Sequence, residues 1–192
     1  MSDADRDAVR AVKRGDREAF AGLVRAYQGR LFGLVLMMMR DRAAAEEVTQ
    51  DAFVRAFTRL DMYDERRPFY PWIATIAVRL AQNELVARGR VIRREGAPLD
   101  AAPEPVVEGR GQAALSDLVD DERRRVLWKE VAALSSGERT SVLLYYRDEM
   151  PVGDIARALG VTAGTIKTLL FRARRRLRER LAAIGFGQEH SR

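Results

Sequence analysis

The stretch PVGDIARALGVTAGTIKTLLFRARRRL, residues 151–177, decides the fold of the C-terminal part of this chain. Ile155, Ala156 and Leu159 are spaced to pack one short helix. Gly160 stands where the chain must turn sharply, and glycine tolerates the positive φ that such a turn needs. Val161 is expected to plug the angle between two helices, and Thr162 to cap the second. Ile166, Leu169 or Leu170, Ala173 and Leu177 would then hold that second helix on a core. Small Ala156, the turn glycine and a buried Val161 allow two helices to cross closely, which predicts a helix-turn-helix.

The outer face of the second helix suggests a ligand. Thr165, Lys167, Thr168, Arg172, Arg175 and Arg176 project outward, placing short hydroxyls and long cations where a recognition helix meets base edges and phosphates. Between Ala163 and Leu181 seven cations face a single carboxylate, Glu179. A charge run alone is as well explained by a solvated basic surface. Joined to the turn pattern, it predicts DNA binding.

Working outward, the rest of the chain also reads as helix, without strand-like alternation. Val126, Leu127, Val131 and Leu134 mark a helix. Ser135 or Ser136 caps the next, with Glu138 in its first turn and Val142, Leu143 and Tyr146 facing inward. Between Gly96 and Glu122 lie three prolines, three glycines and seven carboxylates against Arg110, the mark of a flexible acidic linker. A solvated spacer is the plain reading of that segment; mimicry of nucleic acid in a basic channel of a partner is the sharper one. Upstream, Phe20, Leu23, Val24, Tyr27, Leu31, Leu34, Val35 and Met38 predict one long amphipathic helix, with Gly29 and Gly33 as weak spots. A second helix starts near Asp41 and turns Val48, Ala52, Phe53, Phe57 and Leu60 inward. After a non-helical connection over 61–68, Pro71 suits the first turn of a third helix carrying Trp72, Ile73, Ile76, Ala77, Leu80 and Leu85 to about Gly89. The expected fold is all-α: two small helical domains, 10–95 and 123–184, joined by the linker 96–122, the second domain holding the helix-turn-helix.

Composition narrows the function. The 192 residues, 47% apolar and 32% charged, suffice for packed cores. The net charge of +6 favours a polyanionic partner only weakly, so its distribution matters more. With no cysteine and His190 as the sole histidine, disulfides, thiolate or His metal sites and Ser-His or Cys-His catalysis are excluded. No cofactor and no small-molecule substrate is expected. The charged N-terminal stretch has no apolar signal core, and the longest apolar run, Leu31 to Met39, is far short of the roughly 20 residues that span a bilayer. Cytoplasmic placement without membrane insertion is the expectation.

LLYYR (143–147), IARALG (155–160) and GTIKTLLFRAR (164–174) resemble region 4 of the small extracytoplasmic-function (ECF) sigma factors, whose pattern has an IAxxLG helix followed by a GTVKSRLxRAR-like helix. The resemblance implies −35 promoter contacts from Thr165, Lys167, Thr168, Phe171, Arg172 and Arg174, together with a touch on the β flap of RNA polymerase. For Phe171, packing within the bundle is an equal alternative. AEEVTQDAFVRAF (45–57) resembles the region 2 helix that docks on the β′ clamp helices, which implies a polymerase-binding face of Glu47, Gln50, Asp51, Val54 and Arg55. FYPWIATIAVRLAQNE (69–84) resembles the segment that, with the loop before it, captures unstacked bases of the −10 non-template strand. Tyr63, Arg66, Arg67, Arg79, Asn83 and Arg88 are the residues so implied, with Arg90, Arg93 and Arg94 as further phosphate contacts. Trp72 is expected to anchor the loop rather than to stack on DNA. Arg79 stands where the family usually has asparagine, and LSSGER (134–139) replaces its more usual Leu-Pro opening of region 4.

The resemblance implies a specificity subunit without catalytic residues: partners would be core RNA polymerase, promoter DNA and an anti-sigma factor. Two other classes compete. A repressor with an N-terminal sensor domain needs a ligand pocket or phospho-acceptor module, and no βα alternation is present to build one. An enzyme using carboxylate acid–base chemistry needs convergent acids, whereas these acids fall in linker or helix-surface contexts.

Overall fold

The computed structural model describes the backbone of residues 3–95 and 115–186, and side chains over 4–89 and 123–186. Every regular element among the described residues is helical. In chain order they are α1 (Asp3–Lys13), α2 (Phe20–Met39), α3 (Arg42–Thr58), α4 (Phe69–Glu95), α5 (Leu115–Ala132), α6 (Ser136–Val142), α7 (Val152–Leu159) and α8 (Ala163–Ala183). Short 3₁₀ turns sit at Arg17–Ala19 and Leu60–Met62. Most of the acidic segment expected to be a flexible linker lies outside the described residues, and its last part is already helix α5.

Helix ends follow local chemistry. The Asp41 carboxylate accepts the Ala44 N–H at 3.1 Å and starts α3 directly after α2. Arg40, between them, donates the last helical bond of α2 to the Leu36 carbonyl, and its left-handed conformation (φ 58) then turns the chain out of the helix. Glu138 accepts from both the N–H and the hydroxyl of Ser135, which fixes Ser135 as the cap of α6. Gly29 and Gly33 do not interrupt α2.

The N-terminal bundle packs α2, α3 and α4 around an aromatic cluster in which Phe20 meets Phe53, Phe57 and Phe69 edge-on at 5.1–6.5 Å. Helix α1 covers this bundle with a fully buried Val9, and Asp5 accepts the Tyr27 hydroxyl proton at 2.7 Å. The bundle therefore begins before residue 10. In the C-terminal bundle Leu143, Leu144, Met150, Ile155, Ile166 and Leu170 are buried together.

Two inward expectations are corrected here. Tyr146 is 52% exposed, because α6 continues as a π-turn over Leu143–Arg147, with the Asp148 N–H reaching the Leu143 carbonyl five residues back. That wider turn moves burial from Tyr146 to Leu144 and Asp148. Val161 is 40% exposed rather than plugged between α7 and α8. The turn is closed by backbone instead: Gly160 is left-handed (φ 68), and the Val161 N–H reaches back to the Ala156 carbonyl at 3.0 Å.

The two bundles meet through polar contacts. Arg30 of α2 donates to the Asp148 carboxylate at 3.1 Å and to its carbonyl at 2.9 Å, and lies 3.8 Å from the Tyr70 ring centre. Arg147 donates to the Arg30 carbonyl at 2.7 Å, and Arg139 to the Met38 carbonyl at 3.1 Å. Helix α4 packs along α7, where Arg79 donates to the Arg157 carbonyl at 2.9 Å.

Candidate nucleic-acid interface

Helix α8 is started by Thr162, whose hydroxyl accepts the Thr165 N–H at 3.2 Å. Ile166, Leu170 and Ala173 bury one stripe, so the opposite face is fixed outward. Thr165, Lys167, Thr168, Phe171, Arg172 and Arg174 are all exposed on it. Phe171 is 64% exposed, which decides its position: it does not pack in the bundle. Lys167 and Arg172 have no side-chain partner among the described residues, so both cations are available to an anion. The remaining cations are partly engaged. Arg174 donates to the Leu170 carbonyl, Arg175 lies 3.7 Å from Glu179, and Arg176 pairs with the buried Glu138 at 2.6 Å. Arg176 thus ties α8 to the cap of α6.

The loop between α3 and α4 forms a second candidate site of mixed charge, in which Asp61, Asp64 and Glu65 stand beside Arg66 and Arg67. Arg66 and Arg67 are exposed; Tyr63 is only 3% exposed, its ring packed on Phe69 and Trp72 and its hydroxyl donating to the Arg67 carbonyl. Burial, and next the charge of Asp5, push the Tyr63 phenol up to about 12. Tyr63 is therefore an internal post of the loop and not an open stacking face, while Trp72 leans on it at 4.9 Å between centroids, as an anchor does. Tyr63, Arg66 and Pro68 nonetheless line a cavity of about 670 Å³ with Arg6 and Arg10 of α1.

Along α4, Arg79 and Asn83 are exposed one turn apart. Arg88 is held by Glu84 at 2.8 Å and by Asp41 at 2.5 Å, so it fastens α4 to the cap of α3. Arg90, Arg93 and Arg94 have no described side chains. On α3, Glu47, Gln50, Asp51, Val54 and Arg55 all face solvent, with Val54 61% exposed in their midst.

Sequence reasoning missed α1 and its grip on the loop. Arg10 and Lys13 each reach a different oxygen of Glu65 at 3.1 Å, and Lys13 also donates to the Tyr63 carbonyl at 3.2 Å. The available signal was Ala8, Val9 and Val12 at helical spacing within a charged stretch. Among the described residues no group of three or more His, Asp or Glu side chains could hold a metal ion, and no helix is long and apolar enough to cross a membrane.

This arrangement, a helix-turn-helix bundle beside an aromatic helical bundle, has clear relatives. Residues 23–91 match the family model of sigma-70 region 2, and residues 124–177 that of sigma-70 region 4. The RNA polymerase sigma-H factor of Pseudomonas aeruginosa is 32% identical over 177 residues, which cover 88% of this chain and 90% of that protein. The ECF sigma factor SigW of Bacillus subtilis is 28% identical, covering 90% of this chain and 94% of its own. The solved structure of RpoE with the anti-sigma factor NepR from Bartonella quintana has the same fold at a TM-score of 0.68, with 23% identity over 85% of this chain and 96% of that one. CnrH in complex with the cytosolic domain of CnrY gives 0.62, at 23% identity over 94% and 99% of the two chains. These family matches define a transcription initiation factor rather than an enzyme. The chain belongs to the sigma-70 family of RNA polymerase sigma factors, in the ECF group.

Proposed function

We infer that this sigma factor works in the cytoplasm by docking on core RNA polymerase and gripping two stretches of one promoter. The exposed α3 face of Glu47, Gln50, Asp51, Val54 and Arg55 suits the β′ clamp helices, a mixed polar surface with an apolar centre. The C-terminal bundle would touch the β flap and lay α8 on duplex −35 DNA. There Thr165, Thr168 and Phe171 would meet base edges, and Lys167, Arg172 and Arg174 bases or phosphates. The loop 61–68, with Arg66 and Arg67, and the α4 face of Arg79 and Asn83 would trap the melted −10 strand. Arg88 stays structural in this scheme until its ion pairs with Asp41 and Glu84 open. Residues 96–122 connect the two halves through the polymerase, and phosphodiester chemistry stays with the core enzyme.

The observation that carries this reading is the capped α8, with Lys167 and Arg172 unengaged on its open face. An anti-sigma partner is supported by the two relatives of the same fold, whose structures are complexes with the anti-sigma factor NepR and with CnrY. The test is run-off transcription by purified core polymerase on a randomised promoter library. With this chain added, start sites should concentrate behind a shared −35/−10 pair. Unaltered start sites and no association with core would overturn the reading.

A further inference from the structure

Helix α1 lies outside both matched regions, the first of which begins at residue 23, yet its side chains hold the −10 loop through three hydrogen bonds. Both oxygens of Glu65 are occupied from α1, by Arg10 Nε and by Lys13 Nζ, each at 3.1 Å. The Lys13 ammonium bridges onward to the Tyr63 carbonyl at 3.2 Å, so α1 holds the loop at two residues, one on either side of Asp64. Helix α1 is itself fixed by the buried Val9 and by Asp5 on Tyr27. Arg6 and Arg10 form one wall of the cavity whose other wall is Tyr63, Asp64, Glu65, Arg66 and Pro68, and Arg10 neutralises one of its two carboxylates, Glu65.

We propose that α1 is a positioning element of the −10 site, in which Arg10 and Lys13 set the loop through Glu65 in the shape that receives an unstacked nucleotide. This rests on the −10 assignment of the loop. A loop ordered before binding need not lose its conformational freedom on the DNA, so its affinity for a flipped base is higher. Two exposed ion pairs and one part-buried hydrogen bond together set the size of the effect at roughly tenfold.

Removing α1 would uncover Val9 and risk unfolding, so the test alters only surface charges. Holoenzymes are assembled with Arg10→Glu/Lys13→Glu, with Glu65→Lys, and with all three changes. Each holoenzyme is titrated against fork-junction DNA carrying a single-stranded −10 segment, and each free variant chain separately against core polymerase. The double and single reversals should weaken strand capture by roughly tenfold, and the triple variant should recover most of it. Core affinity should not move, and the conservative pair Arg10→Lys/Lys13→Arg should behave as wild type. Unchanged strand capture in the reversed variants, or a triple variant no better than its parents, overturns the proposal. Arg66→Ala/Arg67→Ala separates the two possible failures. If it weakens capture while the α1 variants do not, positioning by α1 is wrong; if it too changes nothing, the loop itself is not the −10 site.

Discussion

Two side chains of the same helix show how position, and not charge alone, decides which cation is left open to a ligand. Arg176 and Arg172 are both exposed cations of α8, but Arg176 is occupied by Glu138 at 2.6 Å while Arg172 is unengaged. Lys167 resembles Arg172 in this, and it sits nearer the helix start, beside Thr165 and Thr168. Replacing Lys167 and Arg172 together with alanine should weaken −35 promoter affinity by about 2–4 kcal/mol. It should also lower the salt slope of binding by about two ions if both contacts are to phosphate, and leave association with core polymerase intact. Filter binding by the holoenzyme across a salt series checks both parts. Unchanged transcription from a −35-dependent promoter would count against these two residues. Arg176→Ala should act differently, loosening the α6–α8 contact and lowering thermal stability.

Among the helices, those with long apolar stripes were legible from sequence, since periodicity reports burial wherever the backbone is regular. Helices α2, α3, α7 and α8 fall where their spacing predicts, whereas α4 runs on past the expected end near Gly89 to Glu95. Periodicity failed where the backbone departs from the α repeat. The π-turn after Val142 turned Tyr146 out, and the left-handed Gly160 cap left Val161 in solvent. Helix α1 was not legible because its buried set is short and lies among charges. The site was legible as residue types on faces, but the ion pairs that immobilise Arg88 and the burial of Tyr63 are tertiary facts. Helix α3 carries two predictions. Asp41→Ala removes its cap and should cost about 1 kcal/mol in urea denaturation. Hydrogen bonds from Arg88, and then from the Ala44 N–H, hold the Asp41 carboxyl below the usual carboxylate range. A depressed carboxylate stabilises the fold above its ordinary value near pH 4 and loses that contribution as pH falls through its folded value, so the variant should show a flatter acid limb than wild type. On the outer face, Gln50→Ala with Asp51→Ala should weaken retention on a core-polymerase column without changing the melting temperature, because neither side chain is buried.

The two bundles form one molecule through a junction of unusual composition, with a buried carboxylate at its centre. Asp148 is 3% exposed, takes Arg30 at 3.1 Å, and leaves its second oxygen without a hydrogen-bond partner. Arg147 approaches Gly33 so closely that a Cβ there would lie 2.8 Å from its guanidinium, so a larger residue would require that flexible end to shift. Burial raises the Asp148 carboxyl above its usual value, outweighing the lowering by Arg147 and Arg30. A raised carboxyl stabilises the closed arrangement fully below its ordinary value and gives up that contribution as pH rises through the folded value. The junction should therefore tighten in mild acid, the opposite of the Asp41 response. Asp148→Ala removes the partner of Arg30 and should loosen the junction by about 1–3 kcal/mol. Asp148→Asn keeps an acceptor without a charge to bury, so it should hold the bundles together and abolish the pH response. The chain has no cysteine, so single cysteines placed on exposed α3 and α8 positions can carry a fluorescent pair without background labelling. Energy transfer between them should drop in Asp148→Ala, persist in Asp148→Asn, and rise for wild type as pH is lowered. Equal transfer in all three proteins at every pH would show that the packing of α4 along α7 holds the bundles without help from the buried carboxyl.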